Sequence, residues 1–373
     1  MKVLIITNGF FPGKKYGGPP VSVNNLCSLL NEHEFYIITK NHDLGETEKY
    51  INIRDDWNVE NNRRILYLSD KDFNKNRMEQ EIKKIKPDIL YLQSLFQSCT
   101  IPCLYLARKY SIKVLLAPRG ELCKGAFKKK WKKIPYILFL RMSGLLHKIH
   151  TQSTSDEESE MIKKYLRINR SNIHYLTNVP TIPKQIDNYN IKRKNELKIV
   201  FLSRIVPKKN LIYALNCLKK VKGKILFDIY GSIEDKDYWN ECNIIISELP
   251  KNITINYKGI IDHDNVCSTF SKYDLFFFPT KSENFGHVIV ESLSVGCPVL
   301  ISNQTPFDKL ESNNCGAEFD LIDEDLFINK INDYVIIEND EWKEMSNSAK
   351  KYINSKLNID KIKEDYNNVL NNI

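Results

Sequence analysis

Short apolar runs alternate along the chain with longer stretches in which apolar residues return every three or four positions. In the first half the short runs fall at 2–7, 35–39, 64–68, 88–92, 113–117 and 148–152. The helical periods fall at 21–31, 78–85, 98–110 and about 124–146. Such an alternation predicts βαβ units around a parallel sheet covered on both faces. The pattern breaks at Val179-Pro180-Thr181-Ile182-Pro183 and a polar stretch, 184–196, which together read as a linker. Beyond it the alternation restarts, with strands expected at 197–202, 224–230, 253–257, 274–278 and 298–302. Helices are expected there at 211–221, 238–249, 287–295 and 324–336. The run Leu275-Phe276-Phe277-Phe278 suits a strand buried on both faces.

Two doubly wound α/β domains of Rossmann-like type, one per half, are the economical reading. Ligands of such sheets bind outside the carboxyl ends of the strands, so the two domains are expected to face a central cleft. The length of 373 residues agrees with two domains. Hydrophobic residues make 42% and charged residues 27%, which argues against disorder. The longest apolar run, 134–140, falls far short of the ~18–20 residues that span a bilayer. Met1–Asn8 reads as a first strand, without the charged leader and small-residue cleavage site of a signal peptide. Nine cysteines without a Cys-x-x-Cys pair read as reduced thiols of a cytosolic protein, not as a disulfide or zinc framework.

Charge is unevenly placed. Residues 1–187 hold 31 Lys and Arg against 19 Asp and Glu, and the rest hold 24 against 27. Within 101–150 there are twelve basic residues and one acid, Glu121. One half of the chain is therefore expected to meet an anionic surface or substrate. The segment Lys128-Lys129-Lys130-Trp131-Lys132-Lys133, followed by the apolar run, has the composition of an anionic membrane interface. A solvated basic turn leading into a core-facing helix is the alternative.

Four segments end a strand and open a helix with residues suited to a nucleotide sugar. In Thr280-Lys281-Ser282-Glu283-Asn284-Phe285-Gly286-His287-Val288-Ile289-Val290-Glu291, Gly286 falls where a helix should start. Its backbone and the helix amino end suit an anion or a sugar hydroxyl. Two carboxylates stand with seven residues between them, able to accept from paired hydroxyls; two surface glutamates on an amphipathic helix are the alternative. The whole segment, continuing to Gly296-Cys297-Pro298-Val299, resembles the Glu-x7-Glu signature of the retaining family-4 glycosyltransferases. The resemblance implies the two-domain GT-B fold, with domains 1–183 for the acceptor and 184–357 for the nucleotide sugar. A last helix, 358–373, is then expected to cross back to the first domain. Asn284 replaces the family's usual glycine, a substitution its tolerance of left-handed backbone would allow.

The same resemblance extends to the other segments. Ser203-Arg204-Ile205-Val206-Pro207-Lys208-Lys209 is similar to the family's Gly-Arg-x4-Lys, which implies Arg204 and Lys209 as ligands of the donor pyrophosphate. The loop 8–20 is similar to the family's Gly-Gly loop at Gly17 and Gly18, expected to cradle the transferred group. Tyr230, Gly231 and Ile261 lie in stretches that frame the base. Glu283 is expected to bind the transferred sugar, Glu291 the ribose, and the backbone of Phe285, Gly286 and His287 the sugar or phosphate. Pro118-Arg119-Gly120-Glu121 resembles a variant found among capsule and O-antigen enzymes, with Arg119 where many members carry a histidine. Arg119 and Glu121 join Glu283 as candidate catalytic groups; membership of a structural ion pair is the alternative for either.

The expected function is transfer of a sugar, with retention, from a UDP- or GDP-sugar to a hydroxyl of a lipid-linked or polysaccharide acceptor in bacterial surface-glycan synthesis. The expected location is cytoplasmic, peripheral on the inner face of the membrane. No cofactor is expected. The pairs Asp70/Asp72, Asp235/Asp237, Asp262/Asp264 and Asp323/Asp325 mimic the metal motif of a different transferase fold and are read as chance, so no metal is assigned. A non-hydrolysing nucleotide-sugar epimerase shares the fold and remains open. A basic nucleic-acid-binding protein is the reading of another class, disfavoured because basic and aromatic residues do not interleave on strands.

Ser155 and Glu158, three apart, read as a helix capping box without a functional role.

Overall fold

Lys2–Ile6 (β1) is buried from Val3 onward and pairs in parallel with a strand on either side, which is why its sequence is an unbroken apolar run. The computed structural model describes residues 1–123, 127, 130–181 and 190–373. They divide into two units, Met1–Val179 with Ile359–Ile373, and Pro180–Asn358.

In the first unit β1 is followed by α1 (Gly18–Leu29), β2 (Glu34–Lys40), β3 (Asn58–Glu60), β4 (Arg63–Leu68), α2 (Lys75–Ile85) and β5 (Ile89–Gln93). Then come α3 (Thr100–Lys109), β6 (Lys113–Ala117), α4 (Lys130–Met142), β7 (His150–Ser153), α5 (Asp156–Leu166) and β8 (Ile173–Tyr175). The eight strands form one sheet in the order β3-β4-β2-β1-β5-β6-β7-β8, parallel except where β3 meets β4. Helix α2 starts on Asn74, whose side chain accepts from the Arg77 amide, and turns Met78, Ile82 and Ile85 to the sheet. Ser155 caps α5 by accepting from the Glu158 amide, as the capping pattern predicts. The Glu158 carboxylate does not reach back to Ser155, however, and its partners are described below.

The second unit runs β9 (Glu196–Leu202), α6 (Leu211–Leu218), β10 (Lys224–Tyr230), α7 (Lys236–Ser247), β11 (Ile253–Gly259), α8 (Val266–Phe270), β12 (Leu275–Phe278) and α9 (His287–Ser294). It continues with β13 (Val299–Ser302), β14 (Gly316–Phe319), α10 (Glu324–Ile336) and α11 (Asn339–Lys356). Its sheet, ordered β11-β10-β9-β12-β13-β14, is parallel throughout. Leu275 to Phe278 are all fully buried, as a strand covered on both faces requires. Helix α12 (Ile359–Asn372) belongs to the first unit. Its Tyr366 is buried, donates to the Thr177 carbonyl at 2.9 Å and accepts from Gln152 Nε2 at 2.9 Å.

Several elements differ from expectation. The short strands β3, β8 and β14 carry too few apolar residues to stand out, and α5 and α11 are largely polar, with apolar residues on one stripe only. Of the helical stretch expected at 124–146, Lys130–Met142 is helix and 143–146 is turn, while residues 124–126, 128 and 129 lie outside the described residues. Part of the polar segment 184–196 is built into the second unit instead of serving as linker. Asn190 hydrogen-bonds buried Asp274, and the buried Lys192 ammonium donates to the carbonyls of Arg193 (2.8 Å), Glu196 (2.6 Å) and Val335 (3.3 Å). Residues 182–189 of the expected linker lie outside the described residues.

Candidate functional site

In the second unit β9 and β12 are neighbours, so the loops leaving their carboxyl ends lie side by side. The loop after β9 carries Arg204 and Lys209 and ends on Asn210, whose left-handed backbone (φ 62°) starts α6 and whose amide donates to the Pro279 carbonyl at 3.0 Å. The loop after β12 is tied to it through Lys281 N–H on the Lys208 carbonyl at 2.9 Å. Glu283 thereby comes to Lys209, and the two side chains form a largely buried salt bridge. The Lys209 ammonium also lies 5.3 Å from the Phe278 ring centre. Arg204 pairs with Glu234 at 3.1 Å, from the loop after β10.

The left-handed residue of the β12 loop is Gly286 (φ 76°), which starts α9; Asn284 does not use the left-handed backbone it would tolerate. A side chain at Gly286 would also press on Ile289 and Phe307. Phe285 and Ile261 pack partly buried against the core, and Phe285 stands 4.6 Å from the His287 ring. One and a half turns along α9, Glu291 is buried. Its Oε1 accepts from Thr181 Oγ1 at 3.0 Å and lies 3.7 Å from His263 Nδ1. Burial pushes the Glu291 carboxyl up to about 8, with the Thr181 hydrogen bond opposing weakly. Burial likewise lowers His263, against the Asp264 carboxylate. Both shifts favour neutral forms, so the contact is one between two uncharged groups near neutral pH. A carboxyl in that state both donates to and accepts from hydroxyls.

Tyr230 ends β10 and Gly231 follows it. The Tyr230 hydroxyl is 3.2 Å from that of Tyr273, which donates to buried Asp228 at 2.7 Å. Gly231 has a structural reason to be glycine: at φ 142° an added Cβ would fall 1.8 Å from the Ser203 carbonyl oxygen.

In the first unit, the loop after β1 is held from outside its own segment. Asp43, from the stretch after β2, accepts from the amides of Lys14 (2.8 Å) and Lys15 (3.1 Å). Those two N–H groups are therefore engaged by a carboxylate, and the loop is more fixed than its glycines suggest. Gly17 (φ 73°) starts α1, whose first turn is Gly18-Pro19-Pro20-Val21. The two prolines have no N–H, so Gly18 and Val21 supply the donors there.

Arg119 also departs from right-handed backbone (φ 55°). Its Nε donates to Gln93 Oε1 at 2.8 Å, and Nη1 reaches Asn178 Oδ1, which also accepts from Ser22. Glu121 does not project as a free carboxylate. It accepts from Ser94 Oγ at 2.6 Å and the Leu95 amide at 2.7 Å, and burial raises its carboxyl. Those bonds hold the loop after β5. Glu158 fixes the loop after β6 instead, accepting from Gly120 N at 2.6 Å, and also accepts from Thr154 N at 2.8 Å and Thr154 Oγ1 at 2.7 Å.

Of the basic cluster, Lys128 and Lys129 and the side chain of Lys130 lie outside the described residues. Trp131 and Lys132 are neighbours at the start of α4, the Lys132 ammonium 4.8 Å from the exposed indole. Lys133 turns inward, donating to the Glu121 carbonyl at 3.0 Å over the Phe96 ring, so it is not a surface lysine as expected. Asp43, Gln93, Glu158, Asn178, Thr181 and His263 carry no sequence signal for these contacts; each reaches its site only through the chain's topology. Among the described residues no group of three His, Cys, Asp or Glu side chains gathers as a metal site.

Residues 183–355 match the family described as Glycosyl transferases group 1. An "Uncharacterized 41.2 kDa protein in cps region" of Klebsiella pneumoniae is 26% identical over 236 residues, 60% of this chain and 62% of that protein. The "UDP-N-acetylglucosamine--peptide N-acetylglucosaminyltransferase GtfA subunit" of Streptococcus agalactiae is 24% identical over 153 residues, 40% of this chain and 28% of that protein. The chain thus spans less than two thirds of either relative. Among solved structures, Anabaena Alr3699/HepE in complex with UDP and glucose superposes over 100% of both chains with a TM-score of 0.73 at 13% identity. WaaG, "a glycosyltransferase involved in lipopolysaccharide biosynthesis", does so over 100% of both with a TM-score of 0.68 at 11% identity. These likenesses establish the GT-B fold.

Proposed function

We propose that the protein, a GT-B chain whose residues 183–355 match the Glycosyl transferases group 1 family, is a family-4-like retaining glycosyltransferase. It moves a sugar from a UDP- or GDP-sugar to a hydroxyl of a lipid-linked or polysaccharide acceptor in bacterial surface-glycan synthesis. The observation that carries this reading is the meeting of Lys209 and Glu283 beside the start of α9, with Glu291 buried behind them. Two cations, Arg204 and Lys209, suit the two charges of a diphosphate. Glu283 suits the hydroxyls of the transferred sugar, and Glu291 the paired hydroxyls of a ribose. The UDP and glucose of the Anabaena structure, the lipopolysaccharide role of WaaG and the cps setting of the Klebsiella relative support the donor and product classes.

In the reaction the acceptor oxygen bonds to the anomeric carbon as its bond to the diphosphate oxygen breaks, on the same face. The departing oxygen takes the acceptor proton, so no side-chain base is required. Arg204 and Lys209 offset the charge that builds on the leaving diphosphate, the part a metal ion plays in other transferases. Arg119, fixed by Gln93 and Asn178, and the loop set by Glu121 serve the acceptor side.

The test has two steps. Thermal-shift screening against UDP- and GDP-sugars should find a donor that raises the melting temperature, and NMR of the product should show the anomeric configuration of the donor. Inversion overturns the retaining assignment. Isomerisation of the donor without acceptor replaces transfer by epimerisation.

A further inference from the structure

Helix α4 turns Ile137 and Leu140 into the core and leaves a continuous apolar face outside. Trp131 is 73% exposed, Ile134 40%, Leu138 45%, Phe139 53% and Met142 86%. At 100° per residue these positions fall within an arc of about 140°, along a helix of about 20 Å. Lys132 borders that arc on one side and Arg141 on the other. Apolar stripes of this continuity are seldom left facing water.

At the carboxyl end of α4 the stripe runs into a cavity of about 490 Å³ at the amino ends of β7 and β8, the opposite end of the sheet from Arg119. Leu138 and Met142 of the stripe are among its lining residues, together with Arg141, His147, Lys148 and Arg167, of which the last three are exposed. No Asp or Glu is among its lining residues. The cations sit on fixed backbone: Arg167 closes α5 as a left-handed cap, and Lys148 (φ 59°) makes the turn into β7.

We propose that this face docks the first unit on an anionic phospholipid surface, with the α4 stripe in the acyl boundary and the cavity receiving a lipid phosphate. A cation-bordered apolar stripe has the composition of an interfacial helix. A cavity lined by cations and continuous with an apolar stripe complements a phosphodiester whose chains continue into hydrocarbon. Charge selects this occupant over a second copy of the chain, because pairing two such faces would bring like charges together. The surface differs from the cluster read in the sequence: Lys133 is not part of it, and its cations lie chiefly at the far end of α4. The inference needs no sugar donor and stands apart from glycosyl transfer.

The test is flotation of the full chain with vesicles of phosphatidylcholine alone or mixed with phosphatidylglycerol. The chain should bind the anionic vesicles at low salt and leave them at about 1 M salt, where the screening length is roughly 3 Å. Arg141→Gln, Lys148→Gln and Arg167→Gln together should weaken binding about 100-fold. Leu138→Ser, Phe139→Ser and Met142→Ser together should weaken it while leaving salt dependence in place. Circular dichroism melting checks that both variants fold; if the apolar triple does not, Met142→Ser alone takes its place. Wild type that ignores anionic vesicles overturns the proposal, as do variants that float like wild type. Binding of inorganic phosphate without vesicle binding, or a dimer that Phe139→Ser dissolves, overturns it in favour of a free anion or a second copy.

Discussion

Lys209 and Glu283 stand 74 positions apart in sequence and meet as a salt bridge with both side chains largely withdrawn from solvent. Neither has room to act independently of the other. A diphosphate arriving at Lys209 competes with Glu283 for the ammonium, and a sugar hydroxyl arriving at Glu283 does the reverse. On the proposed assignment, Lys209→Ala removes a diphosphate ligand, and it strips Glu283 of its counter-charge. Loss of one charge-assisted contact corresponds to about 1.5–3 kcal/mol, or roughly 10- to 150-fold in kcat/KM. Glu283→Gln should lower kcat more than it raises KM. Steady-state kinetics with the donor found by screening decides; unchanged kcat/KM in Lys209→Ala removes the diphosphate assignment.

Arg204 differs because its partner, Glu234, leaves it more open to solvent. Arg204→Ala should therefore leave the melting temperature nearly unchanged, since exposed pairs contribute about 0–1 kcal/mol. Donor affinity should nonetheless fall by about tenfold or more. Calorimetric titration with the free nucleoside diphosphate separates the two effects. Equal affinity in wild type and variant would leave Arg204 a surface residue.

The motifs were legible because each joins a strand end to a helix start within a few residues. Arg204 to Lys209 follow β9, and Glu283 to Glu291 straddle the turn into α9. That the two loops meet depends on β9 pairing with β12, a sheet order no local pattern contains. For the same reason Thr181 and His263 beside Glu291, and Asp43 beneath the glycine loop, were invisible: each partner comes from a different loop. Composition misled at Lys133, since nothing in a run of lysines distinguishes one that turns inward to a carbonyl. It also hid the stripe on α4, where an apolar run divides between a buried face and an exposed one.

Gly231 offers a test of the crossing between the β9 and β10 loops. Gly231→Ala puts a methyl group far inside van der Waals contact with the Ser203 carbonyl oxygen, so backbone must move. A loss of about 3 kcal/mol or more is expected, or failure to fold. Gly45→Ala is the control: its φ is 77° but nothing lies within 4 Å of an added Cβ, so only about 1–2 kcal/mol is lost. Denaturant melts of the two should differ clearly. Equal shifts would remove the close approach as the reason for Gly231.

If Arg204 and Lys209 offset the diphosphate as proposed, turnover should persist in excess EDTA. Complete loss restored by magnesium or manganese would make the divalent ion, not the two side chains, the main charge partner of the leaving group.

Glu291 supplies a pH signature. Its carboxyl is raised from 4.5 to about 8 by burial, so the folded state holds a proton that the unfolded chain releases near its ordinary value. Stability attached to this group is complete below about pH 4.5 and falls as pH rises through about 8. A tenfold difference in proton affinity between the folded and unfolded states corresponds to about 1.4 kcal/mol, so the rise from 4.5 to about 8 sets an upper bound of about 5 kcal/mol. Glu291→Gln keeps the size and a hydrogen-bonding head but cannot ionise. The variant should match wild type near pH 5 and become the more stable of the two toward pH 8, each measured by urea melts in the same buffer series. His263, lowered by the same burial, is present in both proteins, so the comparison is between curves that share it. A nucleotide whose ribose hydroxyls donate to Glu291 favours the ionised form, so bound donor should shrink the difference. Parallel stability curves for wild type and variant from pH 5 to 8 would mean that Glu291 is ionised throughout, and that the pocket behind Gly286 is wetter than its packing implies.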